Sequence, residues 1–395
     1  MSEYSIALIR EEQIEETKAL MRRCFDAKYA SIFYLHPEST LVVTANNGVV
    51  AGINLDIYQV NKEVRMGYIG WLYTDNEARG NGLAGKLLKE AIRFLTEQGC
   101  TSLSACVEGD NPASFKQLEQ EGFSILGLKD QIQLFRMGTA KVYHHASRFF
   151  DMGYFLWHKS LTGDPVKEAN TGLKAFIPTL LGNTVLFFFC LQGWNLLNLA
   201  GIHPIKTIFS SLTPPLQILS LTIPTLFLLA RTGSMALLAA IEKRMKANGR
   251  YEKREVARNA DMSLSHNEGR EQSMMVYRSW DTAWIAALLL TFTVGLPFPV
   301  PGNLYIKGHS WNLEEEKAFL ARIAIAAQAA VALLALFVPK GMPLLFGLTL
   351  LLLDGFFFFY PFCGFNASRI QRMGAKTYGL SLAITLAVVV LLLVY

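Results

Sequence analysis

The sequence predicts an α+β domain at the N-terminus followed by an all-α, polytopic membrane domain. Three observations predict this. Composition shifts near residue 140, from a mixture of charged and apolar residues to long apolar runs such as 348–360 and 380–395. Those runs have the length and apolarity of membrane spans. Before the shift, a strand rich in aromatic and β-branched residues, 68–74, passes through a polar turn with glycines into an amphipathic helix. At 395 residues the chain has room for two or three domains.

Residues 5–10 read as a first strand and 11–27 as a helix with Ile14, Ala19, Leu20 and Cys24 facing inward. Residues 41–45 and 49–59 read as a hairpin across Asn46-Asn47-Gly48, a strong turn signal. The strand 68–74 follows. Its helix, with Leu87, Leu88, Ala91, Ile92 and Leu95 at helical spacing, runs to about residue 98 and is stopped by Gly99. Residues 101–107 read as the next strand and 111–123 as the next helix. Segments 123–128 and 131–137 are expected to close the sheet as a last hairpin.

Between strand and helix sits Arg79-x-x-Gly82-x-Ala84. Small residues there admit a close ligand, and the first N–H groups of a helix lack an intrahelical partner. Such a place suits a phosphate or pyrophosphate, although an ordinary strand-to-helix turn uses the same glycines. It is neither a Walker loop, which needs Gly-Lys-Ser/Thr, nor the G-x-G-x-x-G of dinucleotide folds.

The motif resembles the pyrophosphate arm of the GCN5-related N-acetyltransferase (GNAT) family, Gln/Arg-x-x-Gly-x-Gly/Ala after the fourth strand. Asn111-Pro112-Ala113-Ser114-Phe115-Lys116-Gln117-Leu118-Glu119-Gln120-Glu121-Gly122-Phe123 resembles that family's Asn-led helix ending in Gly-Phe. The resemblance covers about residues 4–138. It implies a mixed, mostly antiparallel sheet with flanking helices, acetyl-CoA as the bound substrate and no metal. It also implies the contacts. Leu72, Tyr73 and Thr74 would pair with the pantetheine arm, and Asn111 would hydrogen-bond it. The N–H groups of Arg79, Gly80, Asn81, Gly82, Leu83, Ala84 and Gly85 would hold the pyrophosphate. A deprotonated amine would then attack the thioester, with most of the rate from positioning and electrostatics. The family's usual acid, a tyrosine seven residues after the Asn111 position, is here Leu118. Glu108 and Asp110 are candidate bases or solvated loop carboxylates. Tyr73 is a candidate acid for the thiol or a core residue.

Residues 141–172, rich in aromatics and containing His144, His145 and His158, are expected to form an amphipathic linker at the membrane surface. A zinc cluster of the three histidines is the alternative. In the membrane domain, 173–395, about six spans are expected: 176–197, 216–241, 284–296, 319–338, 344–362 and 378–394, the third short. The loop 242–279 carries Lys243, Arg244, Lys246, Arg250, Lys253, Arg254 and Arg258, which marks it as cytoplasmic. Met1-Ser2-Glu3-Tyr4 lacks the blocks of a signal peptide, so the N-terminal domain is expected in the cytoplasm. A net charge of +5 without a basic-aromatic stripe does not suggest nucleic acid. Five scattered cysteines with no C-x-x-C pair argue against a disulfide framework or a cysteine zinc site.

Three further stretches, in order, carry a second resemblance. They are Arg231-Thr232-Gly233-Ser234-Met235-Ala236, Pro299-Val300-Pro301-Gly302-Asn303 and Pro361-Phe362-Cys363-Gly364-Phe365-Asn366. Together they resemble the intramembrane site-2 metalloprotease family. Arg231 and Met235 stand where the zinc-binding histidines would be, Thr232 replaces the glutamate base and Asn366 the third ligand. Zinc hydrolysis needs those groups, so protease activity is not expected. Arg231 and Asp354 inside apolar spans are candidates for an internal polar site, because lone charges are costly in lipid; equally, Arg231 could snorkel toward the interface, with Asp354 as its partner.

The expected function is a membrane-tethered N-acetyltransferase moving acetyl from acetyl-CoA to a primary amine of a membrane-associated substrate. The alternative, motivated by Leu118, is a non-catalytic acyl-CoA-sensing membrane regulator on an inactive intramembrane protease scaffold. A transporter reading rests on the spans and Arg231/Asp354 alone.

Overall fold

The computed structural model describes residues 4–45, 48–149, 151–163, 167–203, 219–259, 274–308, 311–359 and 363–394, with the backbone alone over 246–259. The chain forms two compact units, Met1–Asn170 with Phe359–Phe362 and Thr171–Phe358 with Cys363–Tyr395.

In the N-terminal unit, β1 (Ser5–Leu8), α1 (Ile14–Cys24), β2 (Thr40–Ala45), β3 (Gly48–Gln59) and β4 (Arg65–Thr74) come first. They are followed by α2 (Leu83–Glu97), β5 (Ser102–Glu108), α3 (Pro112–Gln120), β6 (Ser124–Ile125), α4 (Leu128–Phe135), α5 (Thr139–His145) and β7 (Tyr154–Ser160). The strands form one sheet in the order β1-β2-β3-β4-β5-β7-β6. Only β4 and β5 pair in parallel; the other pairs are antiparallel. Asn46 and Asn47 of the expected hairpin lie outside the described residues. α1 buries Leu20 and Met21 with Val42, Val49 and Tyr73. α2 buries Leu87, Leu88, Ala91 and Leu95. It comes so close to β4 that a Cβ at Gly67 would stand 2.9 Å from Leu95.

The end of this unit departs from expectation. Segment 131–137 is not a strand. α4 starts after Gly127 and is pinned by Gln131, whose side chain donates to the Leu126 carbonyl at 2.7 Å and accepts from the Tyr143 hydroxyl at 2.9 Å. Nor is 141–172 an interfacial helix. Tyr154–Ser160 enters the sheet between β5 and β6. There Phe155, Leu156 and Trp157 are almost fully buried, each contributing about 2 kcal/mol. A domain ended at residue 140 would lack this strand.

His158 on β7 faces Ser104 and Ser124 across the sheet. It is 1% exposed, and neither ring nitrogen has a hydrogen-bond partner among the described residues. Burial pushes its pKa from 6.5 down to about 4. The unfolded chain takes up this proton near pH 6.5 and the folded one only near pH 4. Stability is therefore complete above pH 6.5 and falls as pH drops toward 4, by on the order of 3 kcal/mol. His158→Phe is expected to flatten that slope in thermal melts taken between pH 7 and pH 4.

The C-terminal unit is helical around a small sheet. Its elements are α6 (Leu173–Gln192), α7 (Leu196–Leu199), α8 (Ile223–Asn259), β8 (Met274–Arg278), α9 (Ala283–Val294), β9 (Asn303–Lys307), α10 (Leu313–Ala335), α11 (Met342–Phe356), α12 (Asn366–Gln371) and α13 (Ala375–Val394). Among the described residues, four helical stretches are long and apolar enough to cross a membrane: Leu173–Leu199, Ile223–Met245, Leu313–Ala335 and Ala375–Val394. Four of the six expected spans overlap these stretches, and the other two, 284–296 and 344–362, overlap shorter apolar helices. α9, with 12 residues, and α11, with 15, are only about 18 and 22 Å long against a hydrocarbon core of about 30 Å. α9 ends at Gly295, at φ +74°, before the proline-rich 296–301. Residues 216–218 and 360–362 of the expected spans lie outside the described residues. The expected loop 242–279 is helix as far as Asn259 and strand from Met274. Glu242 on α8 is held by Arg322 on α10 through two hydrogen bonds of 2.7 and 2.8 Å. α13 leaves Leu380, Ile384, Val390 and Leu393 exposed, a face suited to lipid.

Candidate active site

The sheet of the N-terminal unit opens between its two parallel strands. β4 and β5 pair from Met66 with Ser102 to Ile69 with Ala105, and there the pairing stops. β4 continues with β3 as far as Thr74 opposite Ala51, while β5 continues with β7 as far as Glu108 opposite Tyr154. Beyond Ile69 and Ala105, residues 70–74 and 106–108 do not pair with each other among the described residues, and a strand edge that opens in this way can meet an extended ligand.

A bulge marks the split. Leu55 lies opposite Ile69 and Asn54 opposite Trp71, so Gly70 is an extra residue on β4. A Cβ at Gly70 would stand 1.8 Å from the Tyr34 hydroxyl, so only glycine fits. The extra residue also inverts the side-chain alternation beyond it. Trp71 and Tyr73 consequently pack on the α1 side, with Phe25 and Phe33. Tyr73 is 2% exposed, and its hydroxyl donates to Asn54 Oδ1 at 3.0 Å. Burial raises its pKa. Tyr73 thus brings backbone to the open edge, and its side chain belongs to the core.

The turn beyond β4 is held from several sides. The Asp75 carboxylate accepts from Glu77 N at 3.3 Å and from Arg23 at 3.0 Å. Asn81 donates to the Ala78 carbonyl at 3.1 Å. Gly80 and Gly82 have φ of +84° and +70°, and a Cβ on either would meet nothing within 4 Å. α2 starts at Leu83 with no side-chain cap, its first ladder bond being Lys86 N to the Gly82 carbonyl. The N–H groups of Leu83, Ala84 and Gly85 therefore have no helical acceptor. Arg79 and Lys86 are exposed beside them. Open space, free donors and positive charge make an anion cradle. Leu83 is itself buried and anchors the helix start. Gly85 lets α2 approach α3, since a Cβ there would lie 2.7 Å from Gln117.

Asn111 caps α3, its Oδ1 accepting from Ser114 N at 3.1 Å. Leu118 is buried in the core. Glu108 sits half-buried at the end of β5, and Asp110 is buried. The Tyr154 hydroxyl is 3.0 Å from that of Tyr29.

Sequence reasoning missed several groups on this face. Asp56 on β3 is 2.5 Å from His145 Nδ1 on α5, and Tyr58 stacks on the imidazole at 3.7 Å. Arg148 and Asp151 form a buried ion pair at 2.9 Å, and Cys106 Sγ donates to the same carboxylate oxygen at 3.4 Å. The local signal for His145 lay in a stretch expected to be a linker.

The C-terminal unit has its own polar centre. Arg231 on α8 donates from Nε and Nη2 to Asp354 on α11, at 2.6 and 2.9 Å, and from Nη1 to the Gly302 carbonyl at 3.1 Å. Asp354 also accepts from Asn366 N at 3.2 Å and Nδ2 at 3.1 Å. Arg369 donates to Asn303 and to the Leu304 carbonyl. Both Arg231 and Asp354 are fully buried. Their hydrogen-bonding groups are taken up by these partners, so the pair braces the bundle. Among the described residues, no group of three or more His, Cys, Asp or Glu is placed to hold a metal.

Residues 6–123 match the family model described as Acetyltransferase (GNAT) family. Over 100 residues the chain is 33% identical to "Putative phosphinothricin acetyltransferase YwnH" of Bacillus subtilis (strain 168), an alignment covering 24% of this chain and 59% of that protein. The chain thus spans about three fifths of the length of the curated relative it matches. Similar solved structures include the NatC complex bound to Gag peptide and CoA, at 21% identity over 40% of this chain and 99% of that one, with a TM-score of 0.32. Another is the PaiA N-acetyltransferase of Thermoplasma acidophilum in complex with coenzyme A, at 16% identity over 40% and 99%, with a TM-score of 0.29.

Proposed function

We propose that the N-terminal unit is a GNAT-type N-acetyltransferase carried on a membrane-spanning helical domain, and that it moves acetyl from acetyl-CoA to a primary amine of a membrane-associated substrate. The observation that carries this reading is the split between β4 and β5 beside an uncapped helix start with two open glycines. In this reading the edge of Leu72, Tyr73 and Thr74 pairs with the amides of the pantetheine arm. The N–H groups of residues 79–85 receive the pyrophosphate. Asn111 offers its amide donor to the arm while its oxygen holds α3.

The amine attacks the thioester carbonyl once it has lost a proton. Free N–H groups on the open β4 edge stabilise the oxyanion, and the C–S bond then breaks to release the thiol. With acetyl-CoA a cytosolic metabolite and α8 basic beyond its apolar stretch, the unit is proposed to work in the cytoplasm. The helical unit is proposed to be related to site-2 proteases but without their chemistry, because Arg231, Thr232 and Met235 supply neither ligands nor a base.

Free thiol released from acetyl-CoA by the full chain in detergent tests the proposal. Phosphinothricin, a polyamine and a lysine-bearing peptide serve as acceptors. Release that depends on an amine supports it, and none above background contradicts it. Tyr73→Phe is expected to cost about 1 kcal/mol of stability by losing the bond to Asn54, with turnover changed less than threefold. Melting midpoint and initial rate check both. A second reading, an acyl-CoA sensor without turnover, is favoured by Leu118 and Tyr73 both lying in the core. Tight acetyl-CoA binding with no thiol release distinguishes it.

A further inference from the structure

Acetyl transfer needs a group that takes a proton from the incoming ammonium, a role for which the sequence offers Glu108 and Asp110 beside the end of β5. A carboxylate–imidazole pair lies close to the split. Asp56 is paired across the sheet with Tyr68, one residue before the last β4–β5 pair at Ile69 and Ala105. Asp56 Oδ2 lies 2.5 Å from His145 Nδ1, and the two side chains keep 23% and 25% of their surface exposed. Tyr58, stacked on the imidazole, is 6% exposed.

The hydroxyls of Tyr34 and Tyr58 are buried and have no hydrogen-bond partner among the described residues. Burial, with the charge of Asp56 adding to it, pushes both phenols up, so they remain donors. The Tyr34 hydroxyl is also the atom that a side chain at the bulge residue Gly70 would strike. It therefore stands at the split.

We infer that His145, oriented by Asp56, is the base that deprotonates the acceptor ammonium, and that the hydroxyls of Tyr34 and Tyr58 line the place the acceptor occupies. This rests on the N-acetyltransferase reading. The bond to Asp56 fixes the proton on Nδ1 and leaves Nε2 as the acceptor. One proton passes from the ammonium to Nε2. The amine then attacks the acetyl carbonyl, the C–S bond breaks, and the second nitrogen proton goes to the departing thiolate as the amide forms. His145 returns its proton to water. Among the described residues, the titratable groups in contact with the imidazole are Asp56 and Tyr58 from β3 and His144 from α5; Lys141 of α5 bonds the Gln59 carbonyl and Arg136 pairs with Glu63.

The test uses the full chain with acetyl-CoA and phosphinothricin, and a lysine-bearing peptide as second acceptor. His145→Gln is expected to lower kcat by on the order of a hundredfold while leaving acetyl-CoA affinity unchanged, which also reports that the unit is folded. The rise of rate with pH should move to higher pH. Imidazole added to His145→Ala should restore part of the rate, which a structural role would not allow. Asp56→Asn should lose about tenfold. If His145→Gln keeps both kcat and pH profile, the inference is overturned while the acetyltransferase reading stands. If the wild-type chain binds acetyl-CoA but acetylates neither amine, both are overturned.

Discussion

Asp354→Leu is expected to destabilise the helical unit by about 3–5 kcal/mol, because it leaves Arg231 buried with, among the described residues, only the Gly302 carbonyl as acceptor. Arg231→Met should cost less. Asp354 would still accept twice from Asn366, whereas the guanidinium has no such second source. The double variant should recover part of the loss, since two apolar side chains replace a pair whose desolvation offsets much of its attraction. Scattering-detected thermal transitions in detergent check this. An Asp354→Leu midpoint equal to that of wild type would contradict it, as would strictly additive losses in the double variant.

Gly82→Glu is the second large effect, expected to weaken acetyl-CoA binding at least about a hundredfold, or about 2.7 kcal/mol. The added carboxylate would stand among the donors at the start of α2 and repel the pyrophosphate. At φ +70° a side chain also costs about 1–2 kcal/mol of backbone strain. That strain can be separated from the effect on binding. Gly99, just beyond the other end of α2, has φ +75° and equally open space. Gly99→Glu should cost similar stability while leaving affinity intact. Calorimetric titrations of both variants, beside their melting midpoints, check the pair; equal affinities in the two would contradict the cradle.

The β4–turn–α2 segment was legible because its signals are local: strand residues, small residues in the turn and a period of 3.6 in the helix. β7 was not. Tyr154, Phe155, Leu156, Trp157 and His158 are all buried, so the run shows no alternation to separate it from an interfacial helix. It also enters the sheet between strands that precede it. The side chain of Tyr73 was unreadable without the Gly70 bulge, which changes which residues share a face. His145 and Asp56 are 89 positions apart, and Arg231 and Asp354 are 123 apart. The second pair was nevertheless suggested by the cost of lone charges in apolar runs, a hint the first pair did not offer. Apolar length alone did not separate the four long helices from the segments at 284–296 and 344–362, whose described helices have 12 and 15 residues.

The most direct test of the central claim is an experimental structure of the full chain with coenzyme A. The account predicts the pantetheine arm lying between residues 70–74 and 106–108, with the pyrophosphate on the N–H groups of residues 80–85. Coenzyme A bound elsewhere, or β4 and β5 paired along their whole length with the ligand excluded, would contradict it.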